Sequence, residues 1–156
     1  MKIQDILYIN AILIDCKAAP KNEVLDQMGR FLASIHNVKD PPMLVQKIIE
    51  REAEISTGIG FGIAIPHART NLVQKVCMVA ARCVSGIEFN AIDEKPVHLI
   101  YMLAAPADNS DVLRNILSSL SKIMSYEDMR EKLITANDAE TFLNLIIEGE
   151  NKYVSE

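Results

Sequence analysis

The chain has 156 residues, 49% hydrophobic and 24% charged, with 16 Lys and Arg against 21 Asp and Glu and a formal net charge of −5. That size and balance fit one compact domain, residues 1–156, able to bury roughly 70% of its unfolded surface. An acidic chain without basic runs or interleaved aromatics carries no nucleic-acid footprint. No apolar run approaches the roughly 20 residues a membrane-spanning helix needs, and Met1-Lys2-Ile3-Gln4-Asp5 leads into no signal-peptide core, so a cytoplasmic protein that is not membrane-embedded is expected.

In chain order, Ala11-Ile12-Leu13-Ile14 predicts a strand and Ala18-Ala19-Pro20 a turn. Val24, Leu25, Met28, Phe31, Leu32 and Ile35 then recur at helical spacing and draw one apolar stripe. Asp40 before Pro41 reads as an N-cap with proline in the first turn, and Leu44, Val45, Ile48 and Ile49 carry a second helix to about Arg51. Glycines interrupt the helix there. Ile59, Phe61, Ile63 and Ile65 alternate with small residues and predict a strand ending at or near His67. Two further strands are expected over residues 76–84 and 97–105, rich in β-branched and apolar residues. Beyond Pro106, Leu113, Ile116, Leu117, Leu120, Ile123 and Met124 repeat at intervals of three and four, and two shorter helices follow over 126–134 and 139–148. Helices on either side of a block of strands predict one α/β domain, a sheet covered by helices, with the strand order left open.

Cys16, Cys77 and Cys83 lack metal or redox spacing and are expected to be packed thiols. Six residues of strand separate Cys77 from Cys83 by about 20 Å, beyond the reach of a disulfide. His36, His67 and His98 are too far apart to form a local cage, so no metal and no cofactor is expected.

The stretch GIGFGIAIPHAR, residues 58–69, holds glycine at positions 58, 60 and 62 and leads through Pro66 to His67. It is not a dinucleotide fingerprint, because position 63 is isoleucine, and neither a P-loop nor a nucleophile elbow occurs. What remains is a backbone able to approach a bulky charged group. An imidazole with an ordinary pKa near 6.5 is mostly neutral at cytoplasmic pH and offers one nucleophilic nitrogen while the other is held by a hydrogen bond. Lys47, Arg51, Arg69 and Lys75 lie within twenty residues of it. Arginine's planar fork suits phosphoryl oxygens. These features fit a phosphoryl acceptor, although a lone histidine at a strand end is more often a structural residue.

Segment 51–67, REAEISTGIGFGIAIPH, resembles the signature of the type-2 enzyme IIA domains of the bacterial phosphoenolpyruvate-dependent phosphotransferase system (PTS), the fructose/mannitol class, and most of all its nitrogen-regulatory branch. The likeness extends through Phe89-Asn90-Ala91-Ile92-Asp93, Lys95-Pro96-Val97 and Pro106-Ala107-Asp108. The resemblance implies an α/β fold with a mixed β-sheet flanked by helices, and a phosphohistidine carrier. His67 would take a phosphoryl group on Nε2 from a phosphocarrier protein of the HPr type, with Arg51 beside it. Ser56, Thr57, Gly58, Gly60 and Gly62 would shape a loop whose N–H groups face the phosphoryl oxygens. Phe61 and Ile59 are candidates for an apolar docking rim around His67, with burial in the core equally open for Ile59.

One departure is expected to matter. The resemblance implies a second histidine, common in the family, early in the helix after Pro-Ala-Asp, and the residue aligned there is Leu113, in register with that helix's apolar stripe. His98 is expected to be a half-buried strand residue and not a substitute. Three readings stay open: a nitrogen-type regulator acting on target proteins, a sugar-transport IIA protein donating to a IIB partner, or a binding module with this fold that is never phosphorylated. The missing histidine, and the absence of a fused sugar-specific partner domain, favour regulation.

Overall fold

The computed structural model describes residues 1–108 and 110–154. Its strands are β1 (Ile12–Leu13), β2 (Gly58–Gly60), β3 (Ile63–Ala64), β4 (His67–Arg69), β5 (Cys77–Ile87) and β6 (Val97–Ala105). Its helices are α1 (Lys21–His36), α2 (Pro41–Glu54), α3 (Ser110–Met124), α4 (Glu127–Ile134) and α5 (Ala139–Tyr153). Two 3-10 turns, Ile3–Asp5 and Ile9–Ala11, precede β1, so the expected first strand is cut to two residues.

All six strands join one sheet in the order β1-β5-β6-β3-β2, with β4 also paired to β6. The sheet is mixed: β1 runs parallel to β5, β5 antiparallel to β6, and β3 and β4 both parallel to β6. Every residue of β6 except His98 is fully buried, and Cys77 to Cys83 of β5 are buried without alternation. Unbroken burial means that both faces of the sheet are covered. The helices form two groups, α1 with α2 and α3 with α4 and α5, each packed on the central strands. Cys16, Cys77 and Cys83 are all free and buried in this core.

The helix signals act as read. Asp40 caps α2, its Oδ1 accepting from the Met43 N–H at 3.3 Å, and the helix buries Leu44, Val45 and Ile48. It runs to Glu54, three residues past the expected end, which keeps Arg51 and Glu52 on its last turn. In α3 the stripe Leu113, Ile116, Leu120 and Ile123 is buried as its spacing predicts.

The glycine-rich stretch is the main correction. It is not one strand from Ile59 to His67 but a hairpin, with Gly60 paired to Ile63 and Phe61-Gly62 as its two-residue turn. Phe61 has φ +59° and Gly62 φ +78°, the left-handed pair a type I′ turn requires. After the reversal, β3 and β4 lie along β6 in one register, Ile63 opposite Leu99 and His67 opposite Leu103. Between them Pro66, lacking an N–H, still accepts from the Leu103 N–H at 3.0 Å. His67 therefore begins a short strand instead of ending a long one.

Candidate active site

His67 is half-buried at the start of β4, toward the carboxyl end of the buried strand β6, and β4 packs against α2. Crevices at the carboxyl ends of such strands are where open α/β sheets place their ligands. Its Nδ1 lies 2.8 Å from the carbonyl oxygen of Ile65. A carbonyl can only accept, so Nδ1 carries the proton and Nε2 keeps its lone pair. The acceptor for Nδ1–H, not evident in the sequence, is thus backbone two residues upstream.

The charges around the ring act in opposite directions. Burial pushes the His67 pKa below its ordinary 6.5; the hydrogen bond to Ile65 pulls it up, the Arg51 guanidinium presses it down, Glu52 raises it and Arg69 lowers it. The net effect is downward, which keeps the ring neutral at physiological pH. Arg51 reaches this position from the last turn of α2, and its Nη1 donates to the Ile55 carbonyl at 3.2 Å. That bond satisfies a carbonyl past the helix end and leaves the rest of the guanidinium fork uncommitted among the described contacts.

Sequence reasoning overlooked Glu52. It is 5% exposed, and its carboxylate accepts from the Thr57 N–H at 2.7 Å and the Thr57 hydroxyl at 2.6 Å while pairing with Lys21 Nζ at 2.9 Å. Its signal was present, since position 52 continues the Leu44, Ile48 stripe one turn on, and a carboxylate on a buried stripe needs partners. Lys21 also donates to the Phe89 carbonyl at 2.9 Å and sits 4.5 Å from the Phe89 ring centroid.

The expected loop residues divide. Ser56 donates to the Phe89 carbonyl at 3.0 Å and accepts from the Gly58 N–H at 3.1 Å, and the Thr57 carbonyl accepts from the Ile65 N–H at 3.1 Å. Ser56, Thr57 and Gly58 are therefore tied to the backbone that carries His67, and the N–H groups of Thr57 and Gly58 point to protein acceptors. Gly60 and Gly62 sit at the hairpin turn, where the Gly62 carbonyl accepts from the His98 and Leu99 N–H groups. Four residues of β6 separate Leu99 from Leu103, about 13 Å, so these two glycines serve the turn and are not beside the imidazole. Ile59 and Phe61 share that end. Both are exposed, at 42% and 67%, and Phe61 lies under the Arg130 guanidinium at 4.5 Å, whereas Ile55, 68% exposed, is the apolar residue next to Arg51.

Of the neighbouring cations, Lys47 and Arg69 line one shallow hollow with Met43 and Leu72, while Lys75 lines another with His36. His98 is half-buried on β6 as expected, its Nδ1 3.0 Å from the Cys83 carbonyl. Leu113 is fully buried.

The chain is 35% identical over 146 residues to a PTS system fructose-specific EIIA component of Haloferax volcanii, covering 94% of this chain and 95% of that protein. It is 26% identical to a nitrogen regulatory protein of Pseudomonas aeruginosa, covering 97% and 98%. The solved structure of nitrogen regulatory protein IIA-Ntr from Neisseria meningitidis superposes with a TM-score of 0.82 at 30% identity, covering 92% of this chain and 98% of that one. Residues 5–149 match the family described as Phosphoenolpyruvate-dependent sugar phosphotransferase system, EIIA 2, and the chain belongs to that family.

Proposed function

We propose that this protein is a protein-histidine phosphotransferase acting as a phosphoryl carrier, with His67 as the acceptor and a phosphocarrier protein of the HPr type as the donor. The observation that carries the reading is the 2.8 Å contact of Nδ1 with the Ile65 carbonyl, which frees Nε2 on a half-buried ring beside Arg51. The Nε2 lone pair forms a new N–P bond as the N–P bond to the donor's imidazole breaks, and the electron pair of that bond returns to the donor nitrogen. The proton on Nδ1 stays where it is. Catalysis then consists of positioning the two rings in line and offsetting the charge on the phosphoryl oxygens, for which Arg51 supplies the fork. Ser56, Thr57 and Gly58 hold the backbone beneath the site. The work is done in the cytoplasm, in a transient complex with a modest interface.

Once His67 is loaded, a regulatory role is favoured by Leu113, which leaves no imidazole at the position where the family carries its second one. Adding roughly −1.5 to −2 charge to an acidic surface changes its affinity for target proteins. A second reading, transfer to a IIB component in sugar uptake, is favoured by the 35% identity with a protein named fructose-specific EIIA.

The test is incubation with phosphoenolpyruvate, the first enzyme of the system and its phosphocarrier. Wild type is expected to acquire an acid-labile, base-stable phosphoryl group that His67→Ala does not. An unlabelled wild type would leave a binding module with this fold. Chasing the labelled protein with a IIB domain separates the two roles, since rapid loss of label to IIB marks sugar transport.

A further inference from the structure

A continuous line of hydrogen bonds joins the Lys21–Glu52 ion pair, whose carboxylate is buried, to the imidazole. Lys21, the first residue of α1, pairs with Glu52 on the last turn of α2. Glu52 grips the N–H and hydroxyl of Thr57 at 2.7 and 2.6 Å. The Thr57 carbonyl holds the Ile65 N–H at 3.1 Å, and the Ile65 carbonyl takes the His67 Nδ1–H at 2.8 Å. Each link is protein to protein, and the carboxylate at its root is 5% exposed, so water competes poorly for it.

We propose that Glu52 is a positioning residue for phosphoryl acceptance, fixing through Thr57 and Ile65 the carbonyl that keeps the proton on Nδ1 and leaves Nε2 as the nucleophile. This rests on the phosphoryl-acceptor reading of His67. The two tautomers of a free imidazole lie close in energy, and only the one with a bare Nε2 can attack from that nitrogen. Ile65 can select it only if its carbonyl stays aimed at the ring, and Ile65 sits in the two-residue gap between β3 and β4, where it has no strand partner in the ladder. Its N–H is anchored by Thr57 instead. Thr57 in turn lies in the non-helical link between α2 and β2, so its orientation depends on Glu52. Glu52→Gln removes the charge that pairs with Lys21 and strengthens both Thr57 contacts, and its NH₂ fits only against the Thr57 hydroxyl, which must then turn to accept, so the grip on Thr57 weakens.

The experiment uses the intact chain and two readings. The ring-nitrogen ¹⁵N shifts of unphosphorylated His67 report its tautomer, and labelling through the phosphocarrier reports its rate. Wild type should show Nδ1–H alone. Glu52→Gln and Thr57→Val should populate the Nε2–H form and label about tenfold more slowly, a typical effect of losing a partner that orients a reactive imidazole, while Thr57→Ser should restore wild-type behaviour. Should Glu52→Gln fail to fold, the Thr57→Val and Thr57→Ser pair carries the test, since the valine variant keeps the backbone contact. A folded Glu52→Gln or Thr57→Val protein with the wild-type tautomer and rate overturns the role of Glu52 and leaves His67 as acceptor. An unlabelled wild type overturns both.

Discussion

The imidazole of His67 donates to the carbonyl of Ile65 across only one intervening residue, Pro66. Proline removes the N–H that would otherwise pair at position 66, and its fixed φ limits how the chain between carbonyl and ring can move. The ring is therefore aimed by its own backbone, and its protonation is set by burial and two arginines on one side against the Ile65 hydrogen bond and Glu52 on the other.

The pH dependence follows from that balance. Because the His67 pKa is lowered in the folded protein, the reactive neutral form persists below 6.5, and initial rates of phosphoryl acceptance should fall to half only at a pH under that value. Stability carries the same signature. Between the folded pKa and the unfolded value, the unfolded chain binds more protons, so the protein should lose stability as pH falls through this window. Urea unfolding of His67→Gln should lack that part of the slope, and a half-rate pH above 6.5 would contradict the direction.

Arg51 should matter to chemistry more than to folding. Arg51→Ala removes one hydrogen bond at a helix end, worth about 1 kcal/mol, and, with Arg51 in the proposed role of offsetting charge on the phosphoryl oxygens, should slow labelling by about two orders of magnitude. Arg51→Lys keeps charge without the planar geometry and should recover only part of the rate. The ring reports the change independently. Loss of a cation that presses its pKa down should raise the His67 pKa in Arg51→Ala, measured by titrating its ring-proton resonances.

Much of this was readable before any coordinates. Asp40 and Pro41 marked the start of α2, and the run 97–105 appears unchanged as β6, because caps and uninterrupted apolar strands are local signals. The hairpin was hidden because alternation at period two continues through a two-residue turn: Ile59, Phe61 and Ile63 keep their parity while the chain reverses between them. Gly62 was the local hint of a turn, and the phenylalanine before it argued against one, because a bulky residue rarely adopts the φ of +59° that Phe61 takes here. His67 and Arg51 are singled out by a long motif, not by a local structural signal. Glu52 was missed because its partners, Lys21 and Thr57, lie on separate elements whose approach is decided by tertiary packing.

Gly58 is required for space rather than for its dihedral angle. A Cβ added there would lie 2.7 Å from Ala91 Cβ and 2.8 Å from Ala91 Cα, and the second atom belongs to backbone that cannot rotate away. Gly58→Ala should therefore destabilise the protein by about 1–3 kcal/mol in urea unfolding and push the Ser56–Gly58 link off its anchor at Phe89. Adding Ala91→Gly removes one of the two clashes, so the double variant should regain part of the loss and not all of it. Full recovery would mean that the backbone contact is harmless.

Leu113 tests the departure from the family pattern. The residue is fully buried in the α3 stripe, so Leu113→His places a polar ring where a leucine packs and should lower stability by about 1–3 kcal/mol. If position 113 is where the family's second imidazole stands, the folded variant, assayed well below its unfolding midpoint, should exchange its phosphoryl group faster in both directions. Leu113→Ala supplies the control, because it loosens the same site by about 2–5 kcal/mol without adding an imidazole. Faster transfer in the histidine variant and not in the alanine variant would tie the effect to the ring. Equal rates in wild type and Leu113→His would mean that this position does not face the chemistry at His67, and the regulatory reading would lose the residue on which it leans.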